Sequence, residues 1–186
     1  MRSRVEGVLK RLSLVVVPPE FLYRFWHWRR KGMPRTEDGT SEDLRSIAVQ
    51  DGVCLDVYWT VVDQGAGPCA SLFVLEEEVL RLDCFAGNQA HMHLNPVQLN
   101  LPLPWEITPR IAFPPGDAQA QINRAAFELE TNTVTALQMN QLARLREFRI
   151  EREALAQAAK QMKSYMLELV ARHTQRDTEE EKVTES

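Results

Sequence analysis

His91 and His93 stand either side of Met92, a short way after Arg81-Leu82-Asp83-Cys84-Phe85. On an extended strand, residues i and i+2 point to the same side. Two imidazoles then sit side by side on a rigid element, which is part of a metal site. With Asp83 they make an N,N,O donor set that suits a single Zn, Fe or Mn ion. The same residues without a metal offer acid–base chemistry. His91 or His93 would be the general base, and Arg81 would support charge building on a phosphoryl group, as a small ribonuclease requires. A third reading has no chemistry: a solvated polar face on which Asp83 and Asp56 satisfy the two imidazoles.

These residues need strands to position them. Val53, Leu55, Val57, Trp59 and Val61 alternate with Cys54, Asp56, Tyr58 and Thr60. Period two with β-branched and aromatic residues predicts a half-buried strand. Gln64-Gly65-Ala66-Gly67-Pro68 reads as a turn, 70–75 as a second strand, and Glu76-Glu77 as a turn into a third strand over 78–85. Residues 89–94 read as a fourth strand, and Ile111-Ala112-Phe113 as a last edge strand. Alternation places Leu80, Leu82, Cys84, Met92 and Leu94 toward a core. Asp56, Tyr58, Thr60, Arg81, Asp83, His91 and His93 fall on the other side. Cys84 therefore points inward, which disfavours a Cys84-His91-His93 metal set. A one-residue slip of register would reverse each of these placements.

Two helices follow. Asp117 is a good N-cap, and Ile122, Ala126, Leu129, Thr133 and Leu137 form one apolar stripe. A second helix over about 151–172 carries Leu155, Ala158, Met162, Tyr165, Met166 and Leu169. Strands followed by helices predict an α+β fold: an antiparallel β-meander of four to five strands packed against two C-terminal α-helices.

Flanking segments differ in charge. The net charge of −4 hides a head, residues 1–35, with nine Lys/Arg against two Glu, and a tail, Asp177 to Ser186, with five acids and one Lys. The expected organisation is a basic aromatic segment and polar linker over 1–46, the α+β domain over 47–175, and an acidic disordered tail over 176–186. Phe21, Tyr23, Phe25, Trp26 and Trp28 are interleaved with Arg24, Arg29, Arg30 and Lys31. Trp, Tyr and Arg dominate binding hot spots, so a docking role onto a protein is expected there. Single-stranded nucleic acid through 21–31 is the alternative, with the Arg144, Arg146 and Arg149 cluster as the second basic patch. A membrane surface is least favoured. No apolar run approaches the roughly 20 residues of a membrane helix.

Three cysteines at 54, 69 and 84 are odd in number and widely spaced, which predicts free thiols in the cytoplasm. The sequence has no G-x-G-x-x-G, P-loop, H-E-x-x-H or G-x-S-x-G motif. The stretches Val53 to Trp59, Val79 to Phe85 and His91-Met92-His93, with Arg124 to Leu129, resemble a family of small uncharacterised bacterial proteins over about residues 50–170. The resemblance implies a bacterial cytoplasmic origin and carries no activity. The expected function is a small interaction protein, a subunit or adaptor of a larger assembly or of a homo-oligomer. The alternatives are a ribonuclease-type hydrolase of the toxin–antitoxin kind, or a non-catalytic protein holding one divalent metal.

Overall fold

A computed structural model describes residues 42–62, 65–85, 87–96 and 110–184. The aromatic segment 21–31 lies outside these residues, as does most of the expected linker. The described chain forms a six-stranded antiparallel sheet in meander order, followed by helices, a mixed α+β fold. The strands are β1 (Glu42–Gln50), β2 (Val53–Val62), β3 (Gly65–Val74), β4 (Glu77–Asp83), β5 (His91–Leu94) and β6 (Arg110–Ala112). The helices are α1 (Ala118–Met139), the single turn α2 (Ala143–Arg146) and α3 (Arg152–Thr184).

The sheet exceeds the expected strand count because of β1. Its N-terminal half was expected in the polar linker that ends at 46. As an edge strand it buries only Ile47, with Leu44, Arg45 and Ser46 exposed. An edge strand with one buried residue has no period-two signature to distinguish it from a linker. Asp51 and Gly52 turn it into β2, with Gly52 at φ 72°. A Cβ on Gly52 would meet Leu75 Cδ2 at 3.0 Å.

The second difference lies at Gly65 to Pro68, which belongs to β3 rather than to a turn. Trp59 faces Pro68 and Thr60 faces Gly67 across the β2–β3 ladder. Pro68 is tolerated because its carbonyl accepts from Cys84 N at 3.0 Å. Its missing N–H faces that same side, past the last β3–β4 pair, Cys69 with Asp83. The ladder to β2 is untouched. Gly67 is needed for the same close approach, since a Cβ there would lie 2.6 Å from Cys84 O.

One face of the sheet builds the core. Leu55, Val57, Leu72, Leu80, Leu82 and Met92 meet Ile122, Ala125 and Leu129 of α1 and Leu155, Met162, Met166 and Leu169 of α3. α3 packs on β1 to β3 and α1 on β4. Asp117 caps α1 as expected, accepting from Ala120 N at 2.7 Å. α3 continues to Thr184, through most of the segment expected as a disordered tail. No Gly or Pro follows Pro115-Gly116 in the chain, and Glu, Lys, Arg and Gln are good helix formers. Acidic composition alone did not stop this helix. Among the described residues, no helix is long and apolar enough to cross a membrane.

Candidate metal centre

The second face of the sheet carries the chemistry. Pairing runs in two rows across four strands: Asp56–Ser71–Arg81–His93, and Tyr58–Cys69–Asp83–His91. Asp56, Tyr58, Arg81, Asp83, His91 and His93 share one face, as alternation requires, and Cys84 points into the core, where its thiol donates to Gln121 O at 3.8 Å. The face is not solvated, however. Asp83 is 7%, His91 6% and His93 8% exposed, and Asp56 is fully buried. Asp56 also does not serve the imidazoles. It lies three strands from His93 and accepts from Ser46 Oγ at 2.5 Å.

Three donor atoms converge. His91 Nε2 lies 3.2 Å and His93 Nε2 3.5 Å from Asp83 Oδ2. All three atoms are within 4.8 Å of one another, so this buried group could hold a metal ion. Metal–ligand bonds of about 2.0–2.2 Å separate neighbouring ligands by about 3.0–3.5 Å, and two of the three edges match that spacing. His91 Nδ1 sits 2.6 Å from Gln89 O. A carbonyl only accepts, so Nδ1 carries a proton. The His91 ring is held at its edge by Phe85, with centroids 6.0 Å apart, and crosses the His93 ring at 77°. His93 Nδ1 is buried with no hydrogen-bond partner.

Burial pushes the Asp83 carboxyl up. Hydrogen bonds from His91 and His93, then the charges of His91 and Arg81, more than reverse this and hold it well below the usual carboxylate range. Asp83 is therefore an ionised carboxylate, as a metal ligand must be. Beside it, burial and then the Asp83 charge push the Cys69 thiol up.

Arg81 shares the face but is already bound. Its Nε and Nη2 donate to Glu78 Oε1 and Oε2 at 2.8 and 2.9 Å, and Ser71 Oγ donates to Glu78 Oε1 at 2.7 Å. Tyr58 Oη is 3.3 Å from Ser71 Oγ. Burial works against the Arg81 charge, but Glu78 outweighs it and raises the guanidinium further. Glu78, Ser71 and Cys69 were not anticipated on this face. Strict alternation from Leu80 would put Glu78 under the helices and Val79 beside Arg81. A β-bulge reverses both, because Leu72 pairs with Leu80 while the next residue, Phe73, pairs with Glu78. Ser71 and Cys69 were hidden by the β3 start, although Cys69 follows once its pairing with Tyr58 is known.

The basic cluster after α1 is bound up in the fold. Arg144 pairs with Glu77 at 2.7 Å. Arg146 Nη1 donates to Asn140 O and Gln141 O at 2.8 and 2.7 Å, closing the C-terminus of α1. Arg149 reaches Arg146 O at 3.5 Å. Comparison with known proteins adds nothing to this geometry: no family model, curated protein or solved structure matches the chain.

Proposed function

We propose that the protein binds one divalent metal ion through Asp83 Oδ2, His91 Nε2 and His93 Nε2. The observation that carries this is the position of His91 between two acceptors, the Gln89 carbonyl and the Asp83 carboxylate. Nδ1 donates to the carbonyl, so Nε2 must present either a second proton or a cation to the carboxylate. A carbonyl holding Nδ1–H is also the usual outer support of a metal-bound histidine. Charge agrees. At formal charges with neutral imidazoles, Asp56, Glu78 and Asp83 against Arg81 leave this buried face at −2, which a divalent cation balances. Buried charge without a partner is costly.

Zn, Fe and Mn all fit an N,N,O set. The hydrolase reading loses ground because the Arg81 fork is engaged by Glu78 rather than presented to a phosphoryl group. The adaptor reading rests on residues 21–31 and keeps its own test, capture of a stoichiometric partner through those aromatics.

Protein purified without chelator is expected to carry about one equivalent of zinc, iron or manganese by elemental analysis. Asp83→Asn and His93→Gln should each weaken binding at least about 100-fold, more than the loss of an outer support costs, with helix content unchanged by circular dichroism. Absence of stoichiometric binding on titration with all three metals would overturn the proposal. So would full occupancy in the Asp83→Asn protein.

A further inference from the structure

The three donors come from one side only. Asp83 lies on β4 and His91 directly opposite on β5, with His93 two residues along the same strand. Side chains on one face of a sheet project into one half of space. An ion seated on them is held from below, and the sheet itself cannot fill its other half. The remaining described elements do not fill it either. α1 and α3 pack on the opposite face, where Cys84 also points. On the metal face the Cys69 thiol is 3.8 Å from Gly67 O, and the Tyr58 hydroxyl is engaged with Ser71. The imidazoles cannot swing to wrap the ion, because the His91 ring is pinned by Gln89 O and packed against Phe85. Structural zinc sites are closed by four protein ligands, whereas three ligands with an open position mark centres that bind exogenous molecules.

Resting on the metal reading above, we propose that this centre keeps open coordination positions and takes a small oxygen or nitrogen donor, neutral or singly charged, directly on the metal. The charge of the face sets the ligand class. With the ion in place, Asp56, Glu78, Asp83 and Arg81 plus the divalent charge sum to zero. A singly charged ligand leaves the site at −1. A phosphate dianion would leave it at −2 in a buried setting and would face three carboxylates, with the nearest cation already held by Glu78. The site therefore selects against phosphoryl compounds. That separates it from a ribonuclease centre built on the same histidines.

The test uses the full chain loaded anaerobically with Co(II), read by its visible d–d bands and by the paramagnetically shifted imidazole protons of His91 and His93. Sodium azide should shift the bands saturably and move both imidazole signals. Inorganic phosphate, titrated the same way, should bind at least tenfold more weakly than azide. Bands that ignore azide as well as phosphate would mean a saturated centre, and the open-position proposal falls while metal binding stands. Phosphate binding as tight as azide would overturn the ligand class. Failure of Co(II) to bind, or Co(II) bands without two shifted imidazoles, would remove the metal reading and this proposal together.

Discussion

Glu77 and Asp83 show two outcomes of burying a carboxylate on one strand. Asp83 has two imidazoles and stays ionised. Glu77 has one partner, Arg144, itself half exposed. Burial raises the Glu77 carboxyl and Arg144 only partly lowers it, leaving it at about 7. The unfolded value is the ordinary one, 4.5. Between these values the folded state binds more protons than the unfolded state. The contribution of Glu77 is therefore fully present below pH 4.5 and is lost as pH rises through about 7. Other carboxylates titrate too, so the comparison must be a difference. The stability of wild type minus that of Glu77→Gln, from urea midpoints, should be more favourable at pH 5 than at pH 8. An equal difference at both pH values would show that Glu77 keeps its ordinary affinity for protons. At the same scale, the metal donors were readable from residue type and spacing, because a strand's alternation is strict. Glu78 was not readable, because a bulge breaks that alternation and leaves no mark in local composition.

Elements are joined at two kinds of place, and the joints were less legible than the elements. The core stripes of α1 and α3 were visible as apolar residues three and four apart. The contact holding the start of β1 to α3 was not, since its polar partners lie far apart in sequence. Asp43 adopts φ 56° at the bulged start of β1. Its backbone carbonyl accepts from Tyr165 Oη at 2.6 Å, and its carboxylate meets Arg172 Nη1 at 2.9 Å and His173 Nε2 at 3.2 Å. His173 in turn stacks on Trp59 of β2, rings 4.0 Å apart and 3° from parallel. Arg45 lies over the Tyr165 ring at 3.7 Å. Aspartate and asparagine both tolerate left-handed backbone, so Asp43→Asn removes the charge and keeps the turn. Hydrogen bonds to charged groups contribute about 1.5–3 kcal/mol, and partial exposure of Arg172 reduces this. A loss of about 1 kcal/mol is expected, with faster amide exchange concentrated in β1. Exchange that accelerates evenly across the sheet, or not at all, would mean that the clasp does not hold β1 to the helix. Such a contact could not have been read in advance. It needs β1 as a strand, and one exposed edge strand resembles a linker.

At the scale of the whole molecule, the sheet is a chain of sequential neighbours that ends in its weakest members. β5 has four residues and β6 three. They receive fewer ladder hydrogen bonds than β2 and β3, which pair over ten positions. Two of the three metal donors lie on β5 and the third on β4, so a bound ion would cross-link the short strand to the long ones. Without it, the folded state must keep a buried face at −2, and an unfolded chain presents no such preformed site. Binding to the folded state alone adds RT ln(1 + [L]/Kd), or about 2.7 kcal/mol at a hundredfold excess over Kd. For a chain of this size each kcal/mol moves the midpoint by about 2–4 °C. Metal at that excess should therefore raise Tm by about 5–10 °C. The protection gained in amide exchange should be largest at His91 to Leu94. The Asp83→Asn protein should show neither effect, because its remaining two donors bind too weakly to load at that concentration. An equal rise in wild type and Asp83→Asn would place the stabilising ion elsewhere on the molecule. A wild type that binds one equivalent with Tm unmoved would mean that β4 and β5 are already as rigid as the ion could make them.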